Sequence, residues 1–206
     1  WLNKDKTFKH MYKLHRVPVE FSTGGYDKTH PYLVGLWLGD GTFTNPQITT
    51  PDEEIREWLF GEFQDYAKEK HPELIIKEVF PKNRCKNYYF SSRDPRKEFN
   101  SILSVIREMQ VDGEKRIPLR LLTDTRENRL QLLAGILDTD GFFEHSGYEV
   151  ITKHNGLKED ILFLARSLGY AAYWSHKKGK IKSLNFEGDY FRITISGNLI
   201  DIPCRV

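Results

Sequence analysis

A chain of 206 residues, 39% of them hydrophobic and 13% aromatic, can bury a core without a metal or disulfide staple, and it fits one large domain or two small ones. Its 31 basic and 29 acidic residues nearly cancel to a net charge of +2, so bulk charge alone does not announce a polyanionic partner. No apolar run approaches the ~18 residues of a membrane span, no signal peptide opens the chain, and Cys85 and Cys204 match no paired metal-ligand spacing, which together predict a soluble intracellular protein with no membrane partner.

Residues 1–25 read as a basic, extended N-terminal segment carrying Lys4, Lys6, Lys9, Lys13 and Arg16 and ending at Gly24-Gly25. Trp1 stands where an initiator methionine would, which predicts a processed chain or an excerpt from something longer. The first half, residues 26–118, opens with a helix: Thr29 is the expected cap, Pro31 suits the first turn, and the apolar run stops at Gly39-Asp40-Gly41. Strand and turn follow over 42–50, with a corner at Asn45-Pro46. Thr50-Pro51-Asp52-Glu53 reads as a capping box opening an acidic helix over 52–69 whose buried stripe is Ile55, Trp58, Leu59, Phe63 and Tyr66. Strands over 74–80 and 87–92 and a helix opened by Asp94-Pro95, carrying Phe99, Ile102, Leu103, Ile106 and Met109, give the order αββαββα.

Residues 119–206 restart that order. Asp124 and Glu127 are the expected cap of a helix running to Asp140, residues 141–152 read as a hairpin turning at Ser146-Gly147, and Asn155 is the expected cap of a helix that Gly169 stops. Strands near 171–176 and 190–195 complete the unit; in the last, Phe191, Ile193 and Ile195 alternate with Tyr190, Arg192 and Thr194, as in a half-buried antiparallel sheet. The expected fold is α+β: a pseudo-two-fold duplication of αββαββα with two antiparallel sheets.

The duplication centres on LVGLWLGDG at 33–41 and LAGILDTDG at 133–141, whose acids stand 100 residues apart. Each places small residues, Gly35 or Ala134-Gly135, inside an apolar helix and an acid at its C-terminal end, so the two helices can pack backbone to backbone and bring Asp40 and Asp140 together. Helix C-termini already carry partial negative charge, which opposes two bare carboxylates and favours a hard divalent cation such as Mg²⁺, with Mn²⁺ as a substitute. Such a metal can activate water and hold a phosphate in line, for a hydrolysis whose barrier must fall by on the order of 20 kcal/mol. Asp138 lies at a helix end opposite Leu38 of the first motif and stays outside the catalytic set. The motif aromatics Trp37, Phe43, Phe142 and Phe143 are expected in the core.

These paired motifs resemble the two signatures of the LAGLIDADG homing endonucleases, specifically the single-chain, two-motif kind found in fungal inteins and in yeast mating-type switching. Lys115-Arg116-Ile117-Pro118 is similar to a Lys-x-Ile-Pro element of the intein enzymes, and residues 161–170 are similar to the helix backing their second sheet. The resemblance implies a saddle of two sheets over double-stranded DNA with a long specific target site, bound by a monomer, with metal-dependent cleavage of both strands across the minor groove. It makes Asp40 and Asp140 metal ligands aided by the carbonyls of Gly39 and Thr139, and Lys115 the active-site lysine of one half. Lys115 follows Asp40 by 75 residues; at Ile202-Pro203, the similar place in the second half, Ile200 stands where a second lysine would.

On such a saddle the DNA-facing residues are expected to be Arg84, Lys86, Asn87 and Arg93 from the first half, with Lys153, His154, Lys177, Lys180, Lys182 and Arg192 from the second. The alternative is an inactive DNA- or RNA-binding module of the same shape, a maturase or regulator; the presence of both acids and Lys115 favours the enzyme. Splicing needs a nucleophile at the first residue and a terminal Asn, and Trp1 and Val206 supply neither, so an intein parent would make this its endonuclease portion. A fungal host would imply action in the nucleus.

Overall fold

The computed structural model describes residues 3–11, 16–21, 25–82, 85–93, 100–181 and 186–206, with 10, 180, 181 and 186 described as backbone alone. The N-terminal segment is not extended throughout: helix α1 spans Lys6–Met11, and the Asp5 carboxylate accepts a hydrogen bond from the Phe8 N–H. Residues 16–21 then run extended along the second half, where the Val19 N–H donates to the Ser167 carbonyl at 2.8 Å.

Helix α2, Pro31–Asp40, is capped by His30, whose Nδ1 accepts from the Tyr32 N–H at 3.2 Å. The expected cap, Thr29, is instead buried one position too early to reach that donor. After β1, Gln47–Thr50, the acidic helix comes as two pieces, α3 (Glu53–Phe60) and α4 (Glu62–Lys70), broken at Gly61. The expected capping box does not form: the Thr50 hydroxyl donates to the Asp52 carboxylate and accepts from the Asp52 N–H, so Asp52 takes the cap position and Pro51 stays outside the helix. Strands β2 (Leu74–Val79) and β3 (Lys86–Ser92) complete an antiparallel sheet of order β1-β3-β2, to which Gly41 adds a single bridge at Ile48. Residues 94–99, including the expected opening at Asp94-Pro95, lie outside the described residues; helix α5, Ser101–Glu108, is capped by Asn100, whose side chain accepts from the Leu103 N–H.

A short hairpin, β4 (Gln110–Val111) with β5 (Glu114–Lys115), and the single-turn helix α6 (Leu119–Leu122) join the halves; neither is signalled by periodicity because each is too short to show a period. Helix α7, Arg126–Asp140, is capped by Thr125, which accepts from the Asn128 N–H. Asp124, expected in that role, is fully buried and receives the N–H groups of Gly25, Tyr26 and Thr125, fastening the start of the first half to the start of the second. The hairpin β6 (Gly141–Glu144) and β7 (Gly147–Thr152) turns at His145-Ser146. Helix α8, Asn155–Ser167, is followed by β8 (Ala171–Ile181) and β9 (Phe186–Ser196) in a sheet of order β6-β7-β9-β8. The expected cap Asn155 is itself helical; the free N–H groups of Asn155 and Gly156 donate to the Glu114 carboxylate from the linking hairpin.

With the Gly41 bridge counted, the two sheets have equivalent strand orders about the α2–α7 pair. Their inner faces, Ile48, Tyr88 and Phe90 in one and Val150, Ile193 and Ile195 in the other, are buried in a single core with Leu36, Trp37, Leu133 and Ile136 of the central helices. Each such side chain contributes roughly 1.5–3 kcal/mol by leaving water. None of the described helices is long and apolar enough to cross a membrane.

Candidate active site

The site begins where α2 and α7 touch. A methyl group placed on Gly35 would strike the Leu132 carbonyl oxygen and lie 2.8 Å from the Gly135 Cα; one placed on Gly135 would strike the Tyr32 carbonyl. Only hydrogen at both positions allows this approach. It persists to the C-terminal turn, where a methyl on Gly39 would strike Thr139 Oγ1 and sit 3.4 Å from Asp140 Cγ. Both helices end alike, with the N–H of Gly41 returning to the Trp37 carbonyl and that of Gly141 to the Leu137 carbonyl. Asp40 and Asp140 are thereby delivered to one place.

Their electrostatics record the crowding. The Asp40 pKa is raised to about 6, first by burial and then by the charges of Asp140 and Asp52, with Lys115 opposing. Asp140 has the more exposed surface, yet burial of its carboxyl also raises its pKa, again against Lys115. Lys115 is buried, and its ammonium spans the end of α2, donating to the carbonyls of Trp37 (3.0 Å), Leu38 (2.8 Å), Gly39 (3.2 Å) and Gly41 (3.0 Å). Burial lowers its pKa to about 8, with Lys153 adding to that and the two aspartates resisting.

The residues on either side hold Lys115 in place. Glu114 caps α8, Arg116 forms a two-bond pair with Asp160 at 2.7 and 2.8 Å, and the Ile117 N–H donates to the same carboxylate. Glu114 and Asp160 are thus positioning residues that sequence reasoning missed; the Lys-Arg-Ile-Pro run marked the place without naming its partners. Ile200, at the similar place in the second half, is 84% exposed.

The donor set suits a hard divalent cation: two carboxylates, each held above the usual range chiefly by burial that Lys115 only partly offsets, beside backbone carbonyls. Among the described residues no group of three or more His, Cys, Asp and Glu side chains forms a metal cage, so a cation here would draw on Asp40, Asp140, carbonyl oxygens and water. The Gly39 carbonyl already accepts from Lys115, while Thr139 uses its hydroxyl to donate to the Gly135 carbonyl. Asp138 points elsewhere: it accepts from Tyr32 Oη at 2.6 Å and from the N–H groups of Arg205 and Val206, anchoring the end of the chain. Those partners are remote in sequence rather than local.

Strand alternation sorts the expected DNA-facing residues. On the first sheet Thr49, Lys77, Asn87, Tyr89 and Ser91 lie opposite the core-facing set and, with Gln47 buried at its margin, form an open, mostly uncharged face, with Thr49 Oγ1 donating to Asn87 Oδ1. Of these only Asn87 was anticipated, because a search for cations passes over neutral hydrogen-bonding residues. Lys86 is a correction: in register with buried Thr50, it turns to the helix side and pairs with Glu53 at 2.6 Å. Arg93 is exposed and lines a pocket with Gln64, Lys68 and His71 of the α4 side. On the second sheet Lys177 and Arg192 do share the open face, each beside Glu149. Lys153 is exposed and His154 half-buried, its ring 6.4 Å from that of Phe43. Arg84 and Lys182 lie outside the described residues, and of Lys180 only the backbone is described.

The motif aromatics divide. Trp37 is core as expected, but Phe43, Phe142 and Phe143 are exposed, the last two by 63% and 57%. Phe142 and Phe143 belong to β6, an edge strand with a neighbour on one side only, so the apolar run of the motif does not imply a buried end.

Comparison with known proteins agrees with this geometry. A family model described as homing endonuclease matches residues 116–201. The homothallic switching endonuclease of Saccharomyces cerevisiae is 29% identical over 183 residues, covering 76% of this chain and 31% of the relative. The replicative DNA helicase DnaB of Mycobacterium intracellulare is 29% identical over 149 residues, covering 72% of this chain and 20% of the relative. The chain therefore spans a fifth to a third of the length of these two relatives. Among solved structures, a variant of I-DmoI in complex with its target DNA in the presence of manganese superposes with a TM-score of 0.60 at 15% identity, covering 86% of this chain and 98% of that one. Another, I-DmoI in complex with DNA and calcium, gives 0.59 at 14% identity over 82% and 83% of the two chains. With its paired motifs at the α2–α7 crossing and this antiparallel two-sheet fold, the chain is similar to the LAGLIDADG homing endonucleases.

Proposed function

We propose that this chain is a site-specific DNA endonuclease that uses Mg²⁺ or Mn²⁺ to hydrolyse one phosphodiester in each strand across the minor groove. The convergence of Asp40 and Asp140 at the ends of two helices in backbone contact carries this reading, because two crowded, partly buried acids at one point serve no packing purpose. When bound, the cation supplies Lewis acidity toward the phosphate and a more acidic water. The chain's own contribution is position and charge. Asp40 and Asp140 would hold the cation, while the Lys115 ammonium, whose charge acts on both carboxylates, would offset negative charge that develops on the phosphate oxygens. The open sheet faces bind the duplex on either side of the crossing.

The match of a homing endonuclease family model to residues 116–201, the similarity to an endonuclease over most of this chain, and the likeness of fold to a protein solved with target DNA and with manganese or calcium support the reading. An origin as the endonuclease portion of an intein and action as a monomer belong to the same proposal. The test is selection of cleaved duplexes from a randomised library with Mg²⁺, followed by the same reaction with Asp40→Asn, with Asp140→Asn and in excess EDTA. Loss of cleavage in all three with retained binding to the selected duplex is expected. Undiminished cleavage by either variant would overturn the assignment.

A further inference from the structure

The open face of the second sheet carries an acid near its centre. Glu149 lies on β7, in register with Phe142 of β6 on one side and Thr194 of β9 on the other, and its side chain is only 25% exposed. Two cations converge on a single one of its oxygens: Arg192 Nε at 3.1 Å from the next outward position along β9, and Lys177 Nζ at 3.6 Å from β8. On a surface that binds a polyanion such an acid is costly, because it repels every phosphate that passes over it whatever the sequence. It therefore subtracts from the part of the affinity common to all duplexes.

What it adds is order. Arg192 Nε is buried and in ion-pair contact with Glu149 without an aligned hydrogen bond, while 41% of the side chain remains open. The guanidinium is held at its base rather than left on a free stem. A fixed guanidinium fork reads the O6 and N7 of guanine in two bonds, whereas a loose one finds phosphate oxygen. Lys177 is restrained by the same carboxylate, and two cations with one anion leave the trio at a net +1.

We infer that Glu149 is a specificity-determining residue, which with Arg192 and Lys177 forms a preset base-reading unit on the open face of β7, β8 and β9. The inference rests on the nuclease reading above. None of the three is among the charges that shift Asp40 or Asp140, so the trio is placed to govern which duplex is held rather than how the phosphodiester is broken. Guanine is the base expected under Arg192.

The experiment measures equilibrium binding, in Ca²⁺ and over a salt series, to the selected duplex and to a scrambled duplex of equal length and composition. Glu149→Gln keeps the shape and removes the charge. It is expected to bind the scrambled duplex several-fold more tightly, to lose about tenfold of the preference for the selected one, and to show a salt slope steeper by about 0.9 for each phosphate newly contacted. Glu149→Asp should fall between the variant and the native protein. Arg192→Lys keeps the charge and loses the fork, so it should lose preference with little change on the scrambled duplex; it tests the unit even if Glu149→Gln folds poorly. A native protein that discriminates between the duplexes while Glu149→Gln and Arg192→Lys discriminate equally well would overturn this inference alone. A native protein that binds neither duplex would overturn the nuclease reading and this inference with it.

Discussion

Lys115 Nζ lies 3.2 Å from the carbonyl oxygen of Gly39, the residue before Asp40, and shares its protons with three further carbonyls at the end of α2. Lys115→Met would leave those carbonyls without their donor, costing about 1–3 kcal/mol of stability. It would also remove the cation beside the two carboxylates. Cleavage should fall roughly a hundredfold or more, with binding to the selected duplex retained. Urea denaturation and single-turnover cleavage measure the two effects separately, and native-rate cleavage by Lys115→Met would reduce the lysine to a helix cap.

In EDTA, stability should fall as pH rises between about 4 and 6. Folded Asp40 keeps its proton up to about pH 6, whereas an unfolded aspartate releases it near the ordinary value of 3.8. Across that window the folded state binds more protons, so raising the pH favours unfolding. Asp40→Asn should flatten this dependence and raise neutral-pH stability by about 1–2 kcal/mol, after allowing for the carboxylate's partial access to solvent. A metal that binds both acids should have the same effect on the native protein, seen as a higher melting temperature with Mg²⁺.

Gly35→Ala should damage fold and chemistry together. The added methyl meets the Leu132 carbonyl and lies 2.8 Å from the Gly135 Cα, and backbone atoms on the partner helix cannot rotate away as a side chain would. About 2–4 kcal/mol of destabilisation is expected. Because any separation of α2 from α7 also separates Asp40 from Asp140, cleavage per folded molecule should drop at least tenfold. An alanine variant with native stability would show that the helices can part without penalty.

Asp138 and Asp140 stand two residues apart and should behave differently. Asp138→Ala frees Tyr32 Oη and the last two backbone N–H groups, so the melting temperature should fall, with a cost of about 2 kcal/mol, while the folded fraction still cleaves within a few-fold of the native rate. Asp140→Asn should show the reverse pattern: retained stability and lost cleavage.

The two strands should be cut at unequal rates. Lys115 serves the end of α2, whereas Ile200 occupies the similar place of the second half and is exposed. Strand-labelled substrate should show a rate difference on the order of a hundredfold, the usual effect of one electrostatic group. Equal rates would mean that another group, such as exposed Lys153, fills the second role.

The sequence by itself determined the parts that rest on local rules repeated twice. Two apolar helices with a small residue at mid-length and an acid at the end can be read without coordinates, because close helix packing demands glycine whatever surrounds it; Gly35, Gly135, Asp40 and Asp140 were legible for that reason. Alternation along β9 was legible because a half-buried strand must alternate.

The tertiary structure decided what depends on partners far apart in the chain. Asp124 looked like a cap and is a buried anchor for Gly25 and Tyr26; the N-terminus of α8 is satisfied by Glu114 from the linking hairpin rather than by its own Asn155. A capping signal reports only that a carboxylate or amide is nearby, and several backbone donors compete for it. The same holds for the DNA-facing set. Lys86 and Lys177 are both strand lysines, yet one turns to α3 and the other to the open face, since register against a buried neighbour sets the side. Exposure of Phe142 and Phe143 follows from β6 being an edge, and the place of Glu149 between two cations follows from β7, β8 and β9 lying side by side. Strand neighbours are long-range choices of the folded chain, made by the whole core at once, and no local window of sequence contains them.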